Sequence, residues 1–516
     1  MKRYIFFSIV TIILSAYLIS CEDFLKEKPK TFLSPDGVFK TKNDIFAGVV
    51  SVYDGLGSNS LNYYKRRFLY LNWFCSDEIN SINLAEKNLD NFTFNSTDAN
   101  ISDTWATIYD QINRANTVLT NIPKVPMTKA DANQYEAEVR FLRALGYFNL
   151  SRVFGDIPIH ETETASLEDA FKERSPLADV YKLVISDLTF AKDNMAPTNE
   201  KGRATSGAAK ALLARVYLTK ATSSAAAATD YQSCATLCTE VIGSGTYRLM
   251  PDFEKAIGKE DAYNAESIFE FESQRVKFPN ELTAMGAFFL PAETFATVRF
   301  PQLKANFPDQ AASPGGSNLF SEIPFFNRFD KRDYRKEKTF VSWGIRKSTG
   351  DTIQYTSFIT PFPSPSFKFI DESQPTSRSG YAFETNIIIL RLADVYLMKA
   401  EALNEIGGPT PDAYAALNAI RTRARNRDGK SSNGYPADLA GLTKETFRDA
   451  VMDERMIELA FEGHRWFDLV RTSRLVSLFA TLHPEYGITT KHMLFPIPKA
   501  QLDLKGSKLK QNPGWD

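Results

Sequence analysis

Five side chains that could hold an ion or exchange protons with a substrate lie close together near the end of this 516-residue chain. They are three glutamates spaced four residues apart, followed by a histidine and an aspartate with the same spacing: Glu454, Glu458, Glu462, His464 and Asp468. Residues four apart share one face of a helix, so these groups would be neighbours. Paired carboxylates beside an imidazole can bind a metal ion or act as general acid and base. The row is therefore a candidate metal or acid–base site.

A structural role is the competing interpretation of the same row. Three arginines, Arg455, Arg465 and Arg471, are interleaved with the acids at helical spacings. Acidic and basic residues three or four apart form ion pairs along a helix. The chain also lacks the HExxH and GxSxG motifs and the glycine-rich phosphate loop of common enzyme classes. We therefore predict an ion-pair cluster here, with no metal, no cofactor and no catalytic residue.

Cys21 is the cysteine with the clearest chemistry, because it directly follows an N-terminal apolar run. Lys2 and Arg3 precede that run, which extends over residues 4–19, as in a secretory signal peptide. The sequence Leu-Ile-Ser-Cys at 18–21 resembles the lipobox of bacterial lipoproteins, in which the cysteine receives a diacylglycerol after cleavage. An uncleaved anchor and an accidental cysteine are the alternatives. Apolar run, small residue and cysteine coincide, which favours lipidation of Cys21 and a chain that otherwise stays in water.

The composition is that of a folded globular protein without a strongly charged surface. Hydrophobic residues make up 43% and charged residues 24% of the chain, and the formal net charge is −1. No long basic run is present, so we expect no nucleic-acid partner. The cysteines other than Cys21 are odd in number, which excludes a fully paired disulfide framework. Cys234 and Cys238 are four apart in a helical pattern, and we expect them to be a buried apolar pair.

Apolar periodicity predicts the helices that must position these residues. One helix is expected after Thr41, a second from about Trp105 to a break at Pro123, and a third from about Ala130 to Phe154. Two later helix pairs begin near Thr205 and at Leu392, and the second spans the 34 residues to Arg425. A period near 34 is typical of tetratricopeptide hairpins. The predicted fold is mostly α, on a tetratricopeptide-like scaffold of helical hairpins.

A segment of different amino-acid composition interrupts the helical pattern. Between residues 263 and 383, 23 of 121 residues are aromatic, against 13% overall, and ten of the 25 prolines fall there. This indicates an insertion of loops and short strands, such as Ser267–Phe271, mounted on the helical frame. We expect a signal peptide at 1–20, a lipidated tether at 21–40, scaffold at 41–262, the insertion at 263–385 and a C-terminal helical region at 386–516.

Four segments resemble the SusD/RagB family of outer-membrane nutrient-binding lipoproteins. The longest runs from Asp453 to Arg471, DERMIELAFEGHRWFDLVR, and is similar to a late helix of that family. The others are RLADVYLMKAEALN at 391–404, LFPIP at 494–498 and QNPGW at 511–515. The resemblance spans nearly the whole chain.

The resemblance implies a helical fold on tetratricopeptide-like hairpins and a lipid anchor in the outer membrane. It further implies association with a SusC-like TonB-dependent outer-membrane barrel, for which the protein would act as a lid. The usual ligands of the family are oligosaccharides, with peptides in some members. Acidic Glu22 and Asp23 after the cysteine resemble signals for surface export, so we expect the protein to face the cell exterior.

Candidate ligand-binding residues follow from the aromatic excess together with the resemblance. Rigid aromatic rings can stack on sugar rings, while amides and guanidinium groups bind hydroxyls. Trp343 is the first choice, since Ser342 and Gly344 flank it and Arg346 follows as a nearby donor. The other candidates are Phe288, Phe289, Phe325, Phe326 and Tyr355 for stacking, and Asn80 and Asn83 for polar contacts. For each aromatic, burial in a local core is the alternative, which we assign to Trp73, Trp105 and Trp466.

Two other functions are compatible with the sequence. A surface glycosidase would need a pair of carboxylates across the scissile bond, and the chain has many acids but no motif that fixes a pair. A protein-interaction scaffold is the second alternative, because helical-repeat surfaces commonly bind peptides. Capture of an oligosaccharide without catalysis is the function that we predict.

Overall fold

The structure is a computed structural model. It describes residues 35–57, 63–81, 84–164, 166–257, 261–272, 298–299, 319–341, 343–354, 368, 386–427, 430–431 and 434–515. The predicted sites Cys21, Asn83, Phe288, Phe289 and Tyr355 lie outside these ranges.

Helices form the first half of the described chain. They are α1 (Pro35–Val38), α2 (Lys42–Asp54), α3 (Phe68–Phe74), α4 (Leu84–Asp90), α5 (Ala99–Asn121), α6 (Lys129–Phe154), α7 (Leu167–Ala170), α8 (Leu177–Asn194), α9 (Ser206–Lys220), α10 (Asp230–Gly243) and α11 (Phe253–Ala256). The Thr41 hydroxyl caps α2 by accepting a hydrogen bond from the backbone N–H of Asp44. Helix α6 ends at Gly155, whose φ of 75° suits a residue without a Cβ atom. The predicted helices after Thr41 and up to Phe154 are confirmed.

The second half adds eight helices among the described residues. They are α12 (Ile323–Asn327), α13 (Tyr334–Thr339), α14 (Leu392–Gly407), α15 (Pro411–Ala424), α16 (Lys444–Glu458), α17 (Arg465–Arg471), α18 (Leu475–Leu482) and α19 (Lys499–Leu502). Thr410 caps α15, and Pro411 occupies its first turn. Along the described part of the chain, no helix has both the length and the apolar composition needed to cross a membrane.

The long helices pack in one continuous row. Helix α6 lies against α5 and α8, α9 lies against α8 and α10, and α14 lies against α10, α15 and α16. Helices α10 and α14 are therefore direct neighbours although the aromatic-rich segment separates them in sequence. This arrangement confirms the predicted mostly helical fold, in which the frame continues across the insertion.

Short antiparallel strands form the sheets. They are β1 (Ile79–Ser81), β2 (Ser267–Phe271), β3 (Val298–Arg299), β4 (Leu319–Ser321), β5 (Trp343–Arg346), β6 (Thr352–Gln354), β7 (Ile387–Arg391), β8 (Asn426–Arg427) and β9 (Lys430–Ser431). Strand β1 pairs with β4, β2 with β7 and β8 with β9, while β3, β5 and β6 form a three-stranded sheet in that order. The predicted strand Ser267–Phe271 is confirmed, and its pairing with β7 brings the two ends of the insertion together.

The core runs through the helical row and contains the predicted core tryptophans. Trp73, Trp105 and Trp466 are at most 4% exposed, which confirms their assignment to the interior. Cys234 and Cys238 are fully buried free thiols on α10, also as predicted, and burial raises the pKa of Cys234 well above its usual value. Val50 of α2 is an exception to apolar burial, since it is 47% exposed.

Candidate functional site

The three-stranded sheet β3–β5–β6 carries the first-choice ligand residue, Trp343. Trp343 opens the central strand and pairs with Gln354 of β6, and its side chain is only partly buried. Arg346 closes the same strand, pairs with Val298 of β3, and is exposed. Its backbone N–H donates to Asp351 and its carbonyl accepts from Gly350, which closes the turn to β6. A partly accessible indole thus lies on a short strand that is hydrogen-bonded to its neighbours.

The geometry of β5 argues against Arg346 as the polar partner of Trp343. Successive side chains of a strand point to opposite faces, so residues three apart lie on different sides of the sheet. Trp343 and Ile345 share one face of β5, whereas Gly344 and Arg346 belong to the other. A ligand stacked on the indole would therefore find its polar partners on another element.

Phe325 and Phe326 are not ligand platforms, and their assignment as such is corrected. Phe325 is 1% and Phe326 7% exposed, so neither offers a free ring face. Phe325 makes edge contacts with Phe329 and Phe461 at 5.5 Å, and Phe326 does so with Phe340 at 5.0 Å. Their rings form a local aromatic core that packs α12 against the C-terminal region at Phe461.

Asn80 is part of a polar cluster that ties β1 to β4 and α4. Its amide nitrogen donates to Glu322 Oε1 at 2.8 Å, and its carbonyl oxygen accepts from Lys87 Nζ at 3.3 Å. Lys87 also binds Asp90, and burial raises the pKa of Asp90 to about 6. His483 Nε2 lies 3.7 Å from Glu322 Oε1, and the nearby carboxylate raises the pKa of His483 to about 9. Asn80 therefore holds structural contacts, which leave its amide only partly available to a ligand.

The acidic row at the end of α16 is the centre of a buried charge network. Glu458 is fully buried and contacts three guanidinium groups, with Arg335 at 3.1 Å, Arg391 at 2.7 Å and Arg423 beside them. Glu454 pairs with Arg335 and Arg421, and Glu462 pairs with Lys368 and Arg391. Glu266, which precedes β2, completes the network through Arg391 and Arg423.

The pKa values of the carboxylates in this network indicate the role of the acidic row. Burial opposes ionisation of Glu458, but the surrounding guanidinium groups outweigh it and hold the pKa well below its usual range. The same balance places the pKa of Glu462 at about 2. Carboxylates held this firmly in the ionised form do not exchange protons near neutral pH. The predicted structural role is confirmed. Among the described residues, no group of three or more His, Cys, Asp and Glu side chains could hold a metal ion.

The predicted ion-pair partners were wrong for the glutamates. Arg455 binds Asp394 and Asp468, and Arg465 binds Asp77. Asp468 pairs with Arg471 at the predicted helical spacing. The glutamates take their cations from β7, α13, α15 and Lys368, which are distant in sequence. Spacing along one helix carries no information about such partners.

One buried carboxylate of the same region, Glu78, has no ion-pair partner among the described residues. Glu78 is 1% exposed, accepts a hydrogen bond from the backbone N–H of Phe461 at 2.9 Å, and its Oε2 has no partner among the described residues. Burial raises its pKa to about 8. Sequence analysis had not singled it out, because neither Ser76-Asp77-Glu78 nor its surroundings form a recognisable motif.

A cavity of about 230 Å³ lies between α5, the segment after α6 and the C-terminal segment, and it was also missed. Trp105, Tyr109 and Asn113 of α5 form one wall, and His160 and Phe171 face them. The Tyr109 hydroxyl donates to the Pro158 carbonyl at 2.8 Å, and burial lowers the pKa of His160. Only the four-residue spacing of the three α5 residues could have signalled this wall, since the other residues come from remote parts of the chain.

Comparison with known proteins places this architecture in a family. The model described as "SusD family" matches residues 317–515, and the model described as "Starch-binding associating with outer membrane" matches residues 23–218. The SusD-like protein P25 of Formosa agariphila is 28% identical over 96% of each chain. The starch-binding protein SusD of Bacteroides thetaiotaomicron is 24% identical over 75% of this chain and 74% of its own.

Solved structures show the same fold. A laminarin-binding SusD-like protein superposes with a TM-score of 0.73 at 26% identity, covering 92% of this chain and 100% of its own. A SusD homologue from Bacteroides thetaiotaomicron reaches a TM-score of 0.77 at 23% identity, over 95% of this chain and 100% of its own. The helical fold and both family-model matches agree. The chain therefore belongs to the SusD/RagB family.

Proposed function

We propose that this chain is a surface lipoprotein of the outer membrane that captures oligosaccharides, with peptides as the second ligand class. The captured ligand would pass to a partner SusC-like TonB-dependent transporter for import. Family membership supports this proposal, as do the starch-binding and laminarin-binding names of two similar proteins. The single observation that carries it is the partly accessible Trp343 on β5, within an aromatic-rich segment anchored to a rigid helical frame.

The position of Trp343 on a hydrogen-bonded strand favours stacking of a sugar ring on its indole. A tryptophan on a hydrogen-bonded strand loses little conformational entropy when a sugar ring stacks on it, and its flat face removes much apolar area from water. The helical frame to which the segment is attached has a continuous apolar core. A strand held in this way is a suitable mount for a ligand contact.

Substitution of Trp343 tests the site. We expect Trp343→Ala to weaken binding of the best glycan by about 1–3 kcal/mol, the range for a strong contact in a recognition site. Calorimetry of the purified chain from Cys21 onward, after a screen of glycans and peptides, measures this loss. Tyr396→Ala, which removes a partly buried ring from α14, is the matched control and should leave affinity unchanged.

Two outcomes would contradict the assignment of Trp343. If the melting temperature of Trp343→Ala collapses, the ring is a core residue, for which truncation costs about 3–5 kcal/mol of stability. If the variant is stable and binds a confirmed glycan as well as the wild type does, the ligand contacts lie elsewhere in the insertion.

The membrane anchor is tested at Cys21. We expect Cys21→Ala to abolish incorporation of labelled lipid and to release the protein from the membrane fraction. Cys75→Ala is the control, since Cys75 is a buried free thiol and should not affect labelling. Protease treatment of intact cells should digest the wild-type protein, and full protection would contradict the outward orientation.

Capture without catalysis remains distinguishable from glycosidase activity. A glycosidase needs one carboxyl group that is protonated near neutral pH and one that is ionised. The ionised acids around Glu458 are locked by guanidinium groups, and Glu78 is buried away from solvent. We expect saturable binding of glycans with no release of reducing sugar over prolonged incubation; steady product formation would overturn the non-enzymatic assignment.

A further inference from the structure

A cavity of about 310 Å³ lies on the side of the C-terminal region, where four elements meet. Arg328 follows α12, Arg465 belongs to α17, and Arg474 immediately precedes α18. Met452 of α16 and Leu469 of α17 line it but are almost fully buried, at 3% and 2% exposed, and the partly buried Leu478 of α18 contributes apolar surface. The volume is at the lower end of the range for small-ligand sites, about 300–1,000 Å³.

The three arginines retain unused hydrogen-bond donors. Arg465 is 8% exposed and binds Asp77 through Nε and Nη2, at 2.7 and 2.9 Å, which leaves Nη1 without a partner among the described residues. Arg328 contacts Asp453, and Arg474 contacts Asp449, in each case through Nη2 alone. A buried guanidinium held rigidly from behind, with a free nitrogen, is a preorganised donor for an oxyanion.

The carboxylates that pair with these three arginines differ in their exposure to water. Asp77, behind Arg465, is buried and fixed, with its side chain 4% exposed. Asp453 lines the cavity with its side chain 56% exposed, and the Asp449 side chain is 62% exposed, so both ion pairs are open to water. Exposed pairs of this kind contribute about 0–1 kcal/mol, so an incoming anion could replace either carboxylate at little cost.

We propose that this cavity binds the acidic group of an anionic saccharide, either a carboxylate or a sulfate ester. A carboxylate presents two and a sulfate ester three terminal oxygens that accept from guanidinium nitrogens, while the adjoining sugar ring would lie over the partly buried Leu478. The inference rests on the proposed function, because it gives carbohydrate capture a ligand class. It concerns residues other than Trp343, namely Arg328 of the insertion and Arg465 and Arg474 of the C-terminal region.

The test compares dextran sulfate and oligogalacturonate with unmodified dextran of matched length, at fixed ionic strength. We expect the wild type to bind the two anionic saccharides more tightly than dextran. The double variant Arg328→Gln with Arg474→Gln should lose at least about tenfold in affinity for them, equivalent to about 1.4 kcal/mol. Arg427→Gln is the matched control, because Arg427 forms an exposed pair with Glu337 outside the cavity.

A second variant has the opposite expected sign. Asp453→Asn frees Arg328 and removes a negative charge from the cavity wall, so affinity for dextran sulfate should rise. A purely structural role for the Arg328–Asp453 pair would not produce that gain. Equal losses in Arg427→Gln and the double variant would indicate non-specific charge attraction and overturn the proposal.

The remaining outcomes separate the two proposals. If inorganic sulfate displaces dextran sulfate at equal molar concentration of sulfate groups, the cavity binds free anions and the saccharide assignment is wrong. If an acidic peptide binds through the arginines and anionic saccharides do not, the cavity is a protein contact. If a neutral glycan binds through Trp343 but the anionic ones show no preference, only this inference fails; if no glycan binds at all, both fail.

Discussion

The hairpin of α14 and α15 and the charge network around Glu458 lie side by side but arise from the sequence in different ways. The hairpin is built from residues close in sequence, with Thr410 as the cap between its helices and Leu397 and Leu417 fully buried in its interior. The network joins Glu458 to cations 35, 67 and 123 residues away. Arg391 and Arg423 flank the hairpin and belong to both regions.

The comparison shows what each kind of contact contributes. The apolar hairpin would form around any residues that keep its pattern, because hydrophobic burial is non-directional. The buried network requires particular partners, since an unpaired charge in the interior is costly. We infer that the hairpin determines the fold, whereas the network determines how β7, α13 and α16 are held against each other.

The largest expected effect is at the network's centre. Glu458→Gln leaves three guanidinium groups without their shared carboxylate, and we expect a loss of about 3–5 kcal/mol in unfolding free energy, measured by urea denaturation. Ligand affinity should change little. Glu337→Gln, which breaks an exposed pair with Arg427, should cost less than about 1 kcal/mol. Equal losses in the two variants would remove the distinction between buried and surface pairs.

The next effect is a pH dependence that separates two buried carboxylates. The pKa of Glu78 is raised by burial from 4.5 to about 8, so the native state keeps a proton that the unfolded chain loses. The resulting stability is present below pH 4.5 and is lost as the pH rises through 8, by up to about 1.4 kcal/mol per pH unit. Glu458 has the opposite sign, because its pKa is lowered.

Glu78→Gln removes that ionisation, so the variant should gain stability relative to the wild type as the pH increases. Urea denaturation of both proteins at pH 5, 6.5 and 8 measures the difference. A difference that stays constant across this range would show that Glu78 is already ionised in the native state.

The smallest effect is expected at the hairpin's cap. Thr410 accepts a hydrogen bond from the backbone N–H of Ala413 at 3.2 Å, and Thr410→Ala should cost about 1 kcal/mol. Thr410→Ser keeps the hydroxyl and is the control. A loss in the alanine variant as large as that of Glu458→Gln would mean that the hairpin depends on one directional contact, contrary to the comparison.

Local patterns in the sequence were sufficient for the predicted helices, including those after Thr41 and up to Phe154, and for the buried tryptophans. They also indicated the structural role of the acidic row. They failed where a partner or a face depends on long-range packing: the cations of Glu458, the burial of Phe325 and Phe326, and the position of Arg346 opposite Trp343. Aromatic residues in an insertion are equally compatible with a local core and an exposed platform, and only tertiary contacts separate the two.

The pairing of β2 with β7 has a consequence for how ligand range could change. Phe271 lies opposite Ile387, so the chain leaves the frame and returns to it at adjacent points, with 115 residues between them. A segment closed in this way could act as a cassette, which means a unit that recombination exchanges between relatives while the surrounding helices stay the same. Such an exchange would have to keep the contacts between segment and frame: β4 pairs with β1, Phe325 packs on Phe461, and Arg335 and Lys368 neutralise Glu454, Glu458 and Glu462. A transplanted cassette would have to bring two cations of its own to those positions.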